Sequence, residues 1–263
     1  MIETVSLIGS GNIAHWMVFA LRKAGVHIRQ VYSRRLDHAT ALASLAGAEA
    51  IDDMSLLKPG SDLYLLAVKD DSYEGLLRQL PFRLPLAAHT AGSLSIRIFQ
   101  PYADSYGILY PYQSVNKGMD FEGVEVPLCV EANCAKAESD LLTLAQRLSQ
   151  NVQRLDESQR LVLHRAAIFG CNFTNAMYSI AYDILREHHI DWRMILPLLQ
   201  NTLDKVKTMN PHEAQTGPAK RGDQNIIQKH QEALQDEQLK EIYRLITEYI
   251  MSYGVESQSN INS

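Results

Sequence analysis

The sequence predicts an α/β protein in which a doubly wound parallel sheet is followed by an all-α C-terminal domain. In the first part of the 263 residues, short apolar and β-branched segments alternate with helical patterns, as in βαβ units. After Asp156 the strand patterns end and helical patterns continue to near the C-terminus. We therefore expect two domains, one spanning residues 1–153 and one spanning residues 154–263.

The spacing of apolar residues predicts the elements of the first domain. A strand at residues 4–8 precedes a helix at 12–23, which ends at Gly25 because glycine readily adopts the left-handed conformation found after helices. The continuous apolar run at 63–68 is typical of a strand that is buried on both faces of a sheet. The remaining segments are strands expected at 26–32, 84–89, 106–109 and 124–130, and a helix at 36–45.

The second domain is expected to consist of long helices. Residues 157–188 form one helical pattern without proline, and we expect much of it to be buried because many of its central residues are small or apolar. A second helix is predicted at 192–209, with a possible kink at Pro197. The remaining segments are a loop at 210–222 and two helices near 224–235 and 237–252.

Composition excludes three other classes of protein. With 46% hydrophobic and 21% charged residues, the chain has the usage of a folded domain and not that of a disordered segment. The formal net charge of −5 provides no broad cationic surface for phosphate backbones, so we expect no nucleic-acid partner. No apolar stretch approaches the ~18 residues of a membrane span, so we expect no membrane partner.

Cysteine usage and the first residues indicate the compartment. Cys129, Cys134 and Cys171 are odd in number and have no metal-pair spacing, which is typical of free thiols in a reducing cytosol. The stretch from Met1 to Thr4 lacks the basic region of a secretory signal peptide. We expect a cytoplasmic protein.

The strongest motif has the form GxGxxA and lies between the first strand and the first helix. Gly9 permits the tight turn, Gly11 lets the backbone approach a pyrophosphate, and Ala14 allows close packing of helix on strand. The helix N-terminus adds free N–H groups and the positive end of its dipole. The alternative is a glycine turn with a purely structural role. The residues predicted to bind the cofactor here are Gly9, Ser10, Gly11, Asn12 and Ile13.

The end of the second strand favours NADP over NAD. An NAD site normally has an acidic residue here for the ribose 2′-hydroxyl, and this chain instead has Ser33, Arg34 and Arg35. A hydroxyl and two guanidinium groups suit the 2′-phosphate of NADP. Two alternatives stay open: the arginines could simply cover the start of the next helix, or the cofactor could be NAD.

Further cofactor contacts are expected where two buried strands end. The carboxyl ends of parallel strands line the ligand crevice of open α/β sheets, which places Val68, Lys69, His89 and Thr90 beside the cofactor. Gln113 follows the end of another strand and is expected to contact the substrate.

Polar residues inside the predicted long helix are candidates for the reaction site. His164, Asn172 and Asn175 fall along one stripe of an ideal helix. Buried polar groups must be hydrogen-bonded, and a row of them that faces a cleft is a candidate site. We expect His164 to act as general acid or base, because imidazole titrates near neutral pH, and the two asparagines to orient the substrate. The alternative is a set of hydrogen bonds between helices around a structural histidine.

Two residues near the C-terminus are further candidates for substrate binding. Arg221 could hold a carboxylate bidentately, or could be an ordinary surface arginine. His230 lies on the helix that follows. His188 and His189 have no third partner at ligand spacing, so we expect no metal site.

Four segments together resemble a known superfamily. They are Gly9-Ser10-Gly11-Asn12-Ile13-Ala14, His89-Thr90-Ala91-Gly92-Ser93, the stretch from His164 to Asn175, and the stretch from Thr216-Gly217-Pro218 to His230. On these segments the chain resembles NADP-dependent oxidoreductases with a Rossmann domain and a helical C-terminal domain, among them pyrroline-5-carboxylate reductase, 6-phosphogluconate dehydrogenase and deazaflavin-dependent NADP oxidoreductases. It is most similar to a bacterial family of NADP oxidoreductases whose C-terminal domain has no known function.

The resemblance implies a fold, a cofactor and an assembly. It implies a Rossmann domain that binds NADP, a homodimer formed through the helical domain, and an active site between the domains. The expected function is hydride transfer between NADP(H) and a small carbonyl, imine or alcohol substrate. The alternative is a sensor or scaffold that binds NADP without catalysis, because the candidate residues do not form a complete catalytic triad.

Overall fold

The computed structural model describes residues 1–116 and 118–259, and it describes side-chain burial up to Ser252. The chain divides into two compact units, Met1–Met177 and Tyr178–Ser263, which we call the sheet unit and the helical unit. The boundary expected at residue 153 stays a prediction. In the structure the last strand ends at Arg154, and the helix after it makes side-chain hydrogen bonds to the sheet.

The sheet unit is built on one sheet. The strands of its described residues are β1 (Thr4–Ile8), β2 (His27–Tyr32), β3 (Glu49–Ile51), β4 (Leu63–Leu66), β5 (Leu84–His89), β6 (Ala103–Pro111), β7 (Leu128–Ala132) and β8 (Val152–Arg154). Their order is β3-β2-β1-β4-β5-β6-β7-β8. The first six strands run parallel, as predicted, whereas β7 and β8 run in the opposite direction. The three-residue strands β3 and β8 are too short to show a pattern in the sequence.

Helices cover both faces of this sheet. The first six helices are α1 (Asn12–Lys23), α2 (Leu36–Ala46), α3 (Tyr73–Leu77), α4 (Ala135–Leu148), α5 (Glu157–Ala167) and α6 (Thr174–Glu187). Leu7 of β1 packs with Met17 of α1 and Leu141 of α4 in one apolar cluster. Tyr64 of β4 packs with Tyr73 of α3 in a second cluster. The sheet is therefore doubly wound, as the alternation of strands and helices predicts.

The helix expected at residues 157–188 is interrupted. A π-helical segment, Ile168–Phe173, separates α5 from α6, so the expectation of one regular helix is wrong. The expectation of burial is also wrong: in this chain Phe169 is 66% exposed and Phe173 is 50% exposed. The rings of Phe169 and Phe173 are not covered by the described part of the chain.

The helical unit contains the end of α6 and the remaining helices of the described residues, which are α7 (Leu196–Thr208), α8 (Pro211–Ala214), α9 (Pro218–Arg221), α10 (Gln224–Ala233) and α11 (Glu237–Ser259). Pro197 lies in the first turn of α7, where no hydrogen bond needs its missing N–H, so the expected kink is absent. The expected loop at 210–222 contains α8 and α9. No helix among the described residues combines the length and the apolar character that a membrane crossing requires.

Candidate functional site

The loop between β1 and α1 is shaped by two glycines with different roles. Gly9 has φ of +131°, and a Cβ atom there would lie 2.1 Å from the carbonyl oxygen of Ala67. Gly11 is the N-cap residue of α1, and a Cβ atom on it would meet no atom within 4 Å. No side chain caps α1, so its first N–H groups remain available to an anion. Gly9 is required by the fold, whereas Gly11 leaves open space in front of the helix.

This loop borders a cavity of about 770 Å³ at the carboxyl ends of β1, β2, β4 and β5. The residues predicted to bind a cofactor that line this cavity are Gly9, Ser10, Gly11, Asn12, Ile13, Ser33, Arg34, Arg35, Val68, Lys69 and Thr90. Further lining residues, which were not predicted to bind the cofactor, are Tyr32, His38, Ala67, Asp70, Ser72, Leu76, Ala91 and Val115. The structure thus brings all but one of the predicted cofactor residues to one cavity.

Basic side chains lie at the end of β2. The hydroxyl of Ser10 donates to that of Ser33 at 2.8 Å. Arg35 binds Asp37 through two hydrogen bonds of 3.1 and 2.5 Å, which lowers the pKa of Asp37 to about 2. Arg34 makes no hydrogen bond or ion pair with the described residues, and His38 joins it on the cavity wall. Of the two predicted arginines, Arg34 is therefore the one whose guanidinium is available to a ligand.

His89 is the predicted cofactor residue that does not line the cavity. Its ring is completely buried between Tyr73 and Phe99, with ring centroids 5.7 Å away on both sides. Its Nδ1 accepts the N–H of Ala91 at 3.2 Å, and its Nε2 has no partner among the described residues. Burial lowers the pKa of His89 to about 3, so the ring is neutral. His89 belongs to the core below the cavity.

The candidate acid or base, His164, is paired with a tyrosine. The hydroxyl of Tyr110, at the end of β6, lies 3.2 Å from Nδ1 of His164 on α5. A Cβ atom on Gly92 would lie 2.8 Å from that nitrogen and 2.9 Å from that hydroxyl. Gly92 directly follows Ala91, which lines the cavity. Gly92 is therefore the residue next to the cavity wall, and it lies so close to the Tyr110–His164 pair that only a glycine fits there.

A buried arginine binds the turn that follows β5 and contains Gly92. Arg160 of α5 has no exposed surface, and its guanidinium donates to the carbonyl oxygen of Gly92 at 2.6 Å. It also donates to Glu131 of β7 at 3.3 Å. Burial raises the pKa of Glu131, and the charge of Arg160 opposes that rise. Arg160 thus joins α5, β7 and the turn after β5.

The other predicted reaction residues lie apart from this pair or are exposed. Asn172 lies in the π-helical segment and Asn175 in α6, and both are exposed. Because a π-helix has a different period, the stripe expected for an ideal helix does not hold across this segment. Gln113 is exposed and does not line the cavity; its side chain accepts the N–H of Ser114.

Two predicted substrate residues belong to the helical unit. Arg221 ends α9 and is exposed. His230 of α10 is exposed, and its Nδ1 lies 3.0 Å from the hydroxyl of Tyr243 on α11. Within residues 1–116 and 118–259, no cluster of three histidine, cysteine or acidic side chains is arranged to hold a metal ion.

Sequence reasoning missed Tyr110 as a partner of His164 and missed Arg160 entirely. The two members of the pair are 54 residues apart, and their contact depends on how α5 crosses the sheet. Arg160 sits in a helical pattern as one charged residue among several, with no signal that distinguishes it from a surface arginine. In the sequence, Gly92 within the His89–Ser93 stretch was the one indication that another residue lies close to the backbone here.

Two family models match separate parts of the chain. Residues 4–90 match a model described as NADP oxidoreductase, coenzyme F420-dependent. Residues 126–250 match a model described as a domain of unknown function, DUF2520. No curated protein matches the chain.

Solved structures resemble the chain over nearly its whole length. The protein named "putative NADP oxidoreductase BF3122" from Bacteroides fragilis is 34% identical, with 95% of this chain and 98% of that chain covered and a TM-score of 0.88. An imine reductase from Myxococcus stipitatus in complex with NADP+ is 19% identical, with coverage of 98% and 94% and a TM-score of 0.65. 1-Pyrroline-5-carboxylate reductase from Streptococcus pyogenes is 13% identical, with coverage of 95% and 98% and a TM-score of 0.66.

Proposed function

The chain belongs to the family of NADP oxidoreductases that join a Rossmann-like N-terminal domain to a C-terminal DUF2520 domain, and we propose that it transfers hydride between NADP(H) and a small carbonyl, imine or alcohol substrate. It is an NADP-dependent oxidoreductase. We infer the substrate class from the chemistry of the residues beside the cavity.

The cavity residues fit the cofactor. Open space in front of Gly11 and the uncapped start of α1 suit a pyrophosphate. Ser33, Arg34 and His38 suit the 2′-phosphate, because a hydroxyl, a guanidinium and an imidazole can all donate to phosphate oxygens. Val68, Lys69 and Thr90 would border the part of the cofactor that extends across the ends of β4 and β5.

The observation that carries the proposed reaction is the Tyr110–His164 pair beside Gly92. When bound, NADPH supplies a hydride from its nicotinamide to an electrophilic carbon. The oxygen or nitrogen on that carbon then needs a proton, and the Tyr110–His164 pair, which contains the predicted general acid or base His164, is its proposed source. The roles of Asn172, Asn175 and Gln113 in orienting the substrate stay predictions.

Arg221 and His230 stay predictions as substrate residues as well. The guanidinium of Arg221 is exposed and could bind an acidic substrate group bidentately. The imidazole of His230 shares a hydrogen bond with Tyr243, and this pairing limits the directions in which its ring can point.

We also propose that the protein is a cytoplasmic homodimer. In the helical unit, Leu198 and Tyr249 are 60% and 64% exposed, and a second copy of the chain that packs on this unit would cover such side chains. Cys129, Cys134 and Cys171 are free thiols, as in a reducing compartment. Light scattering coupled to gel filtration measures the assembly, and a mass of about 30 kDa would contradict the dimer.

The proposed reaction is tested by incubating the purified protein with NADPH and a panel of small ketones, aldehydes and cyclic imines. We expect oxidation of NADPH that depends on at least one member of the panel, together with the reduced product by mass spectrometry. The control is Gly11→Ala, whose Cβ would enter the space in front of α1. Absence of turnover across the panel, with NADPH bound, would contradict the proposed reaction.

A further inference from the structure

The hydrogen bond between Tyr110 and His164 has an asymmetry that bears on proton transfer. A pyridine-like or protonated ring nitrogen offers one hydrogen-bonding position, and Nδ1 of His164 already uses it towards the hydroxyl of Tyr110 at 3.2 Å. A phenol hydroxyl can donate one hydrogen bond and accept others. Of the two atoms in this pair, the Tyr110 hydroxyl is the one that can contact His164 and a third group at the same time.

The phenol of Tyr110 is partly buried and lies beside a second aromatic ring. Its ring lies 6.2 Å from the ring of Tyr112 in an edge-to-face arrangement. Burial raises the pKa of Tyr110 to about 12, so the phenol carries its proton at neutral pH. Tyr110 therefore carries its proton at neutral pH and shares a hydrogen bond with His164.

Resting on the proposed function, we propose that Tyr110 is the catalytic residue that gives the proton to the substrate. His164 then returns a proton to Tyr110. As the substrate carbon receives hydride, the electron pair of its C=O or C=N bond moves to the oxygen or nitrogen. That atom forms a bond to the proton of the Tyr110 hydroxyl, and the O–H bond of the phenol breaks. The resulting phenolate takes the proton on Nδ1 of His164 while Nε2 of the same ring takes a proton from solvent, so the phenol is restored and the ring keeps its charge. In the oxidative direction each proton moves the opposite way.

The first test compares two matched variants, Tyr110→Phe and Tyr112→Phe. Each loses one phenol hydroxyl that contacts α5, because the hydroxyl of Tyr112, which directly follows β6, donates to the carbonyl oxygen of Leu163 at 3.2 Å. We expect kcat of Tyr110→Phe to fall by about 100-fold or more, with the Kd for NADPH unchanged. Tyr112→Phe should stay close to the wild type. A Tyr110→Phe variant that is folded, binds NADPH and retains wild-type kcat would overturn the proposal.

The second test determines whether the two residues act in series. If His164 works only through Tyr110, the double variant Tyr110→Phe with His164→Ala should have the same kcat as Tyr110→Phe alone. Independent losses that multiply in the double variant would overturn the series arrangement. If the wild type turns over no member of the substrate panel, the proposed function and this inference both fall, whereas normal turnover by Tyr110→Phe removes this inference alone.

A third measurement needs no turnover. Carbon-13 at the ring Cζ of tyrosine reports by NMR whether the phenol is ionised, and the Tyr110 resonance is identified by its loss in Tyr110→Phe. We expect a protonated phenol from pH 6 to pH 9, both with and without NADPH. A phenolate at pH 7 would overturn the role of Tyr110 as the proton donor in reduction.

Discussion

The guanidinium of Arg160 donates to the carbonyl oxygen of Gly92 at 2.6 Å from a position with no exposed surface. This bond connects the helix that carries His164 to the turn that follows β5. Glu131, which is about one-fifth exposed, is the carboxylate that balances the charge. The position of the Tyr110–His164 pair relative to the cavity wall therefore depends on a buried ionic contact.

Removing the cation from this contact should destabilise the fold. In Arg160→Met the carboxylate of Glu131 loses its partner, and we expect the free energy of unfolding to fall by about 3 kcal/mol. Adding Glu131→Gln should restore part of this loss, because the second variant no longer buries an unpaired charge. Urea unfolding of the single and double variants measures both effects. Equal stability of Arg160→Met and the wild type would contradict the structural role of the contact.

Placing a methyl group at residue 92 should disturb the pair without removing any of its atoms. In Gly92→Ala the Cβ atom would lie 2.7 Å from Cζ of Tyr110, so the phenol must move. We expect kcat to fall by about tenfold or more while the Kd for NADPH changes little. The control is Gly75→Ala on α3, where a Cβ atom meets nothing within 4 Å. Unchanged kcat in Gly92→Ala would show that the pair does not need this geometry.

Alanine substitutions at the two glycines of the β1–α1 loop should have different effects on stability and on NADPH binding. Gly9→Ala forces a side chain into the backbone of Ala67 at a positive φ, so we expect a large loss of thermal stability. Gly11→Ala meets no protein atom, so stability should stay near that of the wild type while NADPH binding weakens by about tenfold or more. Calorimetry of unfolding and of NADPH binding separates the two effects. Wild-type NADPH affinity in Gly11→Ala would contradict the assigned pyrophosphate position.

The guanidinium of Arg34, just after β2, should determine the preference for NADPH over NADH. In Arg34→Ala we expect NADPH to bind about tenfold to 100-fold more weakly, with NADH affinity unchanged, because one charge-assisted hydrogen bond to the 2′-phosphate is lost. Arg35→Ala should have a smaller effect, since Arg35 is already bound to Asp37. Equal losses for NADPH and NADH would mean that Arg34 does not contact the 2′-phosphate.

The neutral ring of His89 should make the fold sensitive to acid. Its pKa is lowered to about 3 in the folded chain, whereas an unfolded histidine has a pKa of about 6.5. Between these values the unfolded chain binds a proton that the folded chain does not, so stability falls as pH decreases from 7.5 to 5.5. We expect this residue to contribute about 1 kcal/mol to that fall. Urea unfolding of His89→Gln at both pH values should show a smaller pH dependence, and an unchanged dependence would contradict the neutral buried state.

Local patterns predicted residues that the structure brings to one cavity. The GxGxxA loop and the Ser33–Arg35 stretch each follow a strand directly, and the sheet order brings the ends of those strands together, so their residues reach one cavity. His89 was misplaced because the sequence alone does not determine which side of a strand end faces the crevice, and its ring turns towards Tyr73 and Phe99.

The reaction side of the site was harder to predict. The stripe of His164, Asn172 and Asn175 assumed a regular helical period, which the π-helical segment interrupts. The partners of His164 and Gly92 come from β6 and from within α5, and such contacts depend on how distant elements pack. No spacing rule in the sequence relates Tyr110 or Arg160 to the turn after β5.

Hydride transfer is tested most directly with NADPH that carries deuterium at both C4 positions of the nicotinamide. The wild-type protein is incubated with this cofactor and with each ketone, aldehyde or cyclic imine of the panel, and the product is analysed by mass spectrometry. We expect a reduced product that carries one deuterium on the former C=O or C=N carbon. Tight NADPH binding with no deuterium in any product would contradict this expectation and would instead favour a protein that binds NADP without catalysis.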